Sequence, residues 1–310
     1  STSLLVHPAD LYVGIKSKRT FVQKNENIEI DSIVSDLEGK LVSGENVEIK
    51  AILKAWVFEK GAWKEKTVDE QFCNVKSSEK TGKCRFVAKN GGRYIITALV
   101  MDDKERFNES EMTVWVAGGK RPPQRNVSKE KVELIPSQKD YKPGDVAEIL
   151  VIAPFAPAEG ILTLRRGGIV KTERFTMKDS SMTLKIPLDE GYLPNIYAQV
   201  DLVGATARTN DKGEVADKLA KRPAYAGGTL NLPISKASRE LKVTAEPVDK
   251  TVEPAGKTNV NVSVKDYRGE PVANTEVAVV VVDESVLALS GYQLADPINT
   301  FYSNRNPGTS

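Results

Sequence analysis

The sequence predicts an all-β chain of tandem antiparallel β-sandwich domains. Three observations predict it: an internal repeat, alternation of apolar and polar residues inside the repeat, and the lack of any amphipathic helix of useful length.

Residues 22–47, VQKNENIEIDSIVSDLEGKLVSGENV, align without a gap on residues 252–277, VEPAGKTNVNVSVKDYRGEPVANTEV, at an offset of 230. Asp36 falls on Asp266, Gly39 on Gly269, Val42 on Val272 and Val47 on Val277. A partial third copy begins at Tyr141-Lys142-Pro143-Gly144, where Gly144 matches Gly256 at an offset of 112. Self-similarity of this kind marks a repeated structural unit, so three units are implied. The length of 310 residues agrees, being too great for one sandwich of about 100.

Within the last copy Val260, Val262 and Val264 alternate with Asn259, Asn261 and Ser263, which places the valines on one face of a half-buried strand. Asp266-Tyr267-Arg268-Gly269 supplies a turn with Gly269 free to take positive φ, and the β-branched run Val277 to Val282 suits a buried strand. Pro143 and Pro254 precede their strands, where a missing N–H costs least. Arg93 to Met101 and Met112 to Val116 read as a closing hairpin around the charged turn Asp102 to Phe107. Glu148 to Ile152, Ile161 to Leu164 and Ile196 to Val203 repeat the theme in the middle unit, and Asn210 to Gly228 reads as a long exposed connection. Gly118-Gly119-Lys120-Arg121-Pro122-Pro123 and Pro233 to Lys236 are linkers, which gives domains at 1–118, 119–236 and 237–310, the last incomplete. The opening Ser1-Thr2-Ser3 and the closing Pro307-Gly308-Thr309-Ser310 read as cuts within a longer polypeptide.

Composition narrows function. With 44 basic and 42 acidic residues spread along the chain, no field is strong enough to draw nucleic acid or an anionic membrane. The longest apolar runs are far shorter than the roughly 20 residues of a membrane helix. Cys73 and Cys84 flank a polar stretch that reads as a loop, and a hairpin would bring them together as a structural disulfide in an oxidising compartment. A redox pair usually has Cys-x-x-Cys spacing, and a zinc site needs four ligands where the chain has one histidine.

No catalytic constellation emerges. His7, near the start of the chain, leaves no base for a Ser-His-Asp or Cys-His arrangement, and neither a phosphate-cradling glycine loop nor a Gly-x-Ser-x-Gly elbow is present. The acidic pairs Asp102-Asp103, Asp189-Glu190 and Asp283-Glu284 read as solvated turns and strand ends, because adjacent residues on a strand face opposite ways. Trp56 and Trp63 flank Lys60-Gly61-Ala62 as at a hairpin tip and, with Trp115, suit cross-strand packing more than a contact patch. Asn108, Asn126 and Asn261 fit the glycosylation pattern, which is common by chance. No cofactor or metal site is expected.

Several segments resemble one family. Val281-Val282-Asp283-Glu284-Ser285-Val286-Leu287-Ala288-Leu289, then Gly291-Tyr292 and Asp296-Pro297-Ile298-Asn299-Thr300-Phe301-Tyr302, resemble the stretch before the bait region of bacterial alpha-2-macroglobulins. Supporting segments are Tyr141 to Asp145, Ala153-Pro154-Phe155, Arg165-Arg166-Gly167-Gly168-Ile169, Leu193-Pro194-Asn195, Cys84-Arg85-Phe86, Gly92-Arg93-Tyr94 and Trp115 to Gly118. The resemblance implies macroglobulin-like, immunoglobulin-like sandwiches that frame a broad-spectrum endopeptidase inhibitor, periplasmic or secreted, whose partners are endopeptidases and neighbouring macroglobulin-like domains. In that family a protease cuts an exposed bait and the resulting conformational change captures it. The bait is expected after the Asp283-Glu284 and Gly291-Tyr292 segments, largely beyond Ser310; basic residues near the end such as Arg305 could be cut, and none is marked as special. The Cys-x-Glu-Gln of thioester members is absent here. The competing readings are a cell-surface adhesin-like array and a carbohydrate-binding accessory module with Trp56 or Trp63 exposed.

Overall fold

The computed structural model describes residues 6–60, 62–118, 130–208, 214–216, 218–253, 255–282, 284–291 and 295–308, without the Trp63 side chain. Gly61, the linker at 119–123, Asn126, Pro254, Asp283 and Tyr292 lie outside the described residues.

The first sandwich comprises β1 (Tyr12–Ser17), β2 (Phe21–Val22), β3 (Asn27–Ser35), β4 (Asn46–Glu59), β5 (Ala62–Lys76), β6 (Gly82–Val87), β7 (Gly92–Met101) and β8 (Phe107–Val116). A three-stranded sheet, β1-β3-β6, packs on a five-stranded one, β2-β8-β7-β4-β5. Alternation decides which side chains meet: Ile28, Ile30 and Val34 of β3 face Ile49, Ala51 and Leu53 of β4 and Tyr94, Ile96 and Ala98 of β7 across one buried core.

The second sandwich repeats this plan with β9 (Glu130–Lys131), β10 (Glu133–Pro136), β11 (Val146–Ile152), β12 (Ala158–Arg165), β13 (Ile169–Met177), β14 (Ser181–Pro187), β15 (Asn195–Thr206) and β16 (Arg222–Pro233). Its sheets run β10-β11-β14 and β13-β12-β15-β16-β9. The expected connection from Asn210 to Gly228 is therefore shorter than the sequence suggests. Residues 222–228 belong to β16, where Gly227 and Gly228 pair with Asp201 and Val200 of β15. Gly228 is required there, because a Cβ would strike the Val132 carbonyl.

A third hairpin joins β17 (Lys242–Pro247) to β18 (Val260–Lys265), with Val243 opposite Val264 and Ala245 opposite Val262 on one face. The turn after it reproduces the first unit atom for atom. Asp36 Oδ1 accepts the amides of Glu38 and Lys40 at 3.0 and 2.9 Å, and Asp266 Oδ1 accepts those of Arg268 and Glu270 at 2.8 and 2.9 Å. Gly39 and Gly269 then take φ of +81° and +88°, which a side chain would disfavour.

The expected buried strand at Val277 to Val282 is not formed. Its counterpart at an offset of 230 is the start of β4, a central strand paired on both sides by β5 and β7. Residues 277–282 have neither partner among the described residues, and their valines are 40–89% exposed. Without a ladder, extended backbone has no reason to settle as a strand. The chain instead continues into two short helices, α1 (Glu284–Ser290) and α2 (Pro297–Phe301), so Glu284 opens a helix rather than ending a strand.

The two cysteines are bonded, but not within a hairpin. Cys73 lies on β5 and Cys84 on β6, which are edge strands of opposite sheets. The disulfide therefore staples the two sheets of the first sandwich along one open edge.

The first and second sandwiches meet at a small apolar junction of Phe21, Ile135, Leu150 and Ile152, with Trp115 and Ala117 half-buried against it. The Thr20 amide donates to the Ser137 carbonyl at 3.2 Å, and its hydroxyl donates to the Pro136 carbonyl. Arg19 pairs with Glu148 at 2.6 Å and lies over the Phe21 ring. This junction explains why Ile149 to Ile152 is an unbroken apolar run: alternate residues fill the second core and the junction, so both faces are buried.

Two outcomes follow. Phe21→Ala, which empties the centre of the junction, should cost about 3 kcal/mol, read as a fall in the chemical-denaturation midpoint. Reducing the Cys73–Cys84 bridge should cost about 3 kcal/mol of first-sandwich stability in the chain-entropy account, and unfolding with and without reductant measures it.

Candidate functional site: a strap on the second sandwich

Three of the segments that carry the family resemblance, far apart in sequence, come together on one end of the second sandwich. The first is the β12–β13 turn, where Arg165-Arg166-Gly167-Gly168 reverses the chain with Gly167 at φ +67° and Gly168 at +149°. The second is Leu193-Pro194-Asn195, which leads into β15; its Leu193 carbonyl accepts from Arg166 Nη2. The third is the strap 295–308.

The strap begins with α2. Asp296 caps it, Oδ1 accepting the Ile298 amide at 2.9 Å, and Pro297 occupies its first turn, where its fixed φ suits the start of a helix. Lys236 Nζ donates to Asn299 Oδ1 at 2.7 Å, and Tyr302 packs against the second core. Beyond Tyr302 the chain is extended and held by its backbone. Asn195 is fully buried; its Oδ1 accepts the Arg305 amide at 2.8 Å and its Nδ2 donates to the Arg305 carbonyl at 3.1 Å. A second bond from Nδ2 to Asn231 Oδ1, at 2.7 Å, fixes the amide plane. The amides of Gly167 and Gly168 donate to the carbonyls of Asn306 and Pro307 at 2.8 and 3.1 Å. Gly308, at φ +81°, lies so close to the Gly167 backbone that no Cβ would fit. An asparagine side chain offers one donor side and one acceptor, so it binds a peptide unit as a neighbouring strand would. The seat thus reads backbone, and demands a particular residue only at 308.

Asp296 and Pro297, from the expected pre-bait motif, start helix α2 of the strap. Glu284 and Gly291 bound the exposed helix α1, with Gly291 at φ +61° just after it. The role of Asn195 was hidden, since nothing local distinguishes an asparagine that clamps a peptide 110 residues away from one that starts a strand.

The other candidates resolve into structural roles. His7 Nδ1 lies 3.0 Å from the Tyr12 hydroxyl. Asp189 caps a 3-10 turn and Glu190 pairs with Arg239 at 2.7 Å. Trp115 backs the junction and Asn108 accepts the Val13 amide, whereas Trp56 is 44% exposed opposite Glu65, which departs from the packing expectation and is the exposure the carbohydrate-binding reading called for. Asp102 departs from the solvated reading. It is nearly buried and accepts the Asp10 amide at 3.0 Å, those of Lys104 and Arg106 at 2.9 and 3.0 Å, and the Arg106 guanidinium at 2.6 Å. The Asp10 amide, with the Arg106 guanidinium beside it, holds its carboxyl well below the usual carboxylate range. Among the described residues no group of three His, Cys, Asp or Glu is placed to hold a metal, and no helix is long and apolar enough to cross a membrane.

The family model described as the alpha-2-macroglobulin bait region domain matches residues 132–289. The chain belongs to the bacterial alpha-2-macroglobulin family. The matched residues take in the second sandwich, the third hairpin and most of α1, and stop before the strap. An alpha-2-macroglobulin homolog of Nostoc is 24% identical over 317 aligned residues, 98% of this chain and 16% of the relative. The alpha-2-macroglobulin of Escherichia coli is 24% identical over 94% of this chain and 18% of its own length. The chain therefore spans less than a fifth of these alpha-2-macroglobulins. The crystal structure of trypsin-activated Escherichia coli alpha-2-macroglobulin aligns over 97% of this chain and 20% of its own at 20% identity, with a TM-score of 0.33, too low to say how the units are arranged.

The Asp102 environment sets a pH dependence. Its folded carboxyl titrates below the about 4 of an unfolded aspartate, so its contribution is complete above that pH and is lost as the pH falls through the lower, folded value. Asp102→Asn should be less stable than the wild type at neutral pH, and urea midpoints should show the gap closing toward pH about 2.

Proposed function

We propose that this chain is part of the sandwich frame of a broad-spectrum endopeptidase inhibitor and has no catalytic role of its own. Family membership supports the reading, and one observation in the fold carries it: the segment expected to lead into the bait is anchored by its backbone to the second sandwich. A protease cuts most readily where chain is exposed and unbonded, so a bait needs a rigid mount and a loose continuation. In this reading the mount is domain 119–236, flanked by domains 1–118 and 237–310, and Asp283, Glu284, Gly291, Tyr292, Asp296 and Pro297 form the approach to the bait. The partners are endopeptidases, met through the whole protein, and the neighbouring macroglobulin-like domains. The disulfide suits an oxidising compartment and so supports a location outside the cytoplasm, in the periplasm or secreted.

The test compares the whole parent protein with this chain alone, each mixed with trypsin and with elastase, and measures hydrolysis of a protein substrate. The parent should suppress hydrolysis by both proteases and the isolated chain by neither. A parent that leaves both proteases fully active would sink the inhibitor reading in favour of the adhesin-like array, and suppression by the isolated chain would overturn its assignment as frame.

A further inference from the structure

We infer that the Gly167-Gly168 turn and Asn195 form a peptide-binding site whose resident ligand is the chain's own 304–308 segment, and that its occupancy shields the Arg305–Asn306 bond from proteases. The inference goes beyond the frame reading and stands or falls without it, because it concerns one bond in this chain.

The Arg305 side chain is exposed, as a trypsin-like protease requires. Its backbone is not available. An endopeptidase binds the residues around the scissile bond as an added strand, using their amides and carbonyls. Both of these groups on Arg305 are taken by Asn195, and the carbonyls of Asn306 and Pro307 are taken by Gly167 and Gly168. A protease can reach the bond only after the strap lifts, and the cleavage rate then follows the population of the lifted state when reclosing is fast. Recognition is almost wholly through backbone, so the strap depends on three features: the Asn195 amide, the two open amides of the glycine turn, and the lack of a side chain at 308. Lys218, between β15 and β16, offers an internal reference, since it lies away from the seat and outside any strand.

The experiment is limited trypsin digestion of the full chain, with mass spectrometry quantifying cleavage after Arg305 relative to cleavage after Lys218. Asn195→Ala should raise that ratio on the order of tenfold or more, the effect of losing two net hydrogen bonds. Asn195 is buried, so a second variant acts on the strap alone: Gly308→Val, which cannot approach the Gly167 backbone, should raise the ratio comparably. Amide hydrogen exchange should show Arg305 exchanging faster in Gly308→Val, with Ala198 and Val200 of the β15 core unchanged. An equal ratio in the wild type and Gly308→Val, whether high or low, would overturn the inference. So would faster cleavage accompanied by faster exchange at Ala198, since the sandwich and not the strap would then have opened.

Discussion

Extended backbone presents a donor and an acceptor at nearly every residue, and each must find a partner or stay in water. That requirement organises this chain. Where strands find partners on both sides, as β4 does between β5 and β7 up to Lys54, they become the centre of a sheet and bury the side chains of one face, here Val47, Ile49, Ala51 and Leu53. Where a segment of higher apolar content has no partner among the described residues, as at 277–282, it stays exposed and irregular. Where no strand is at hand but a peptide must still be held, as at Arg305, a buried asparagine takes the strand's place.

The same requirement explains the staple and the junction. Stacked sheets leave open edges, and edge strands are the weak points of a sandwich. In the first sandwich the edge strands β5 and β6 are tied by a covalent bond between sheets. The outer face of β11 is covered by Phe21, and Thr20 bonds through its amide to Ser137 and through its hydroxyl to Pro136, so the first two sandwiches share buried surface. That contact joins the sandwich that carries the seat to the first sandwich, and the strap stays bonded to the seat through the carbonyls of Asn306 and Pro307.

Much of the strand content was legible because alternation is a local signal. The closing hairpin of the first unit and the three middle strands fall where β-branched and aromatic runs placed them. The Asp-x-x-Gly turn was legible for the same reason: its bonds close within five residues, and Asp36 and Asp266 make the same ones. The early start of β16 was not, because Gly227 and Gly228 read as loop residues until the closeness of the Val132 carbonyl is known. The disulfide pair was legible from its spacing, but its path was not, since residue spacing does not show whether two strands lie in one sheet or in two.

By itself, then, the sequence determined the class of fold, the turn chemistry and the segments that resemble alpha-2-macroglobulins, all properties of residues close together in the chain. Tertiary structure decided which edges are stapled, that 277–282 lacks a ladder among the described residues, and that Gly167, Gly168, Asn195 and Arg305 come together. The physical reason is the reach of each interaction. Side-chain alternation and turn bonds are set within a few residues, whereas strand pairing and the Asn195 clamp join groups as far as 110 residues apart and exist only once the sheets have packed.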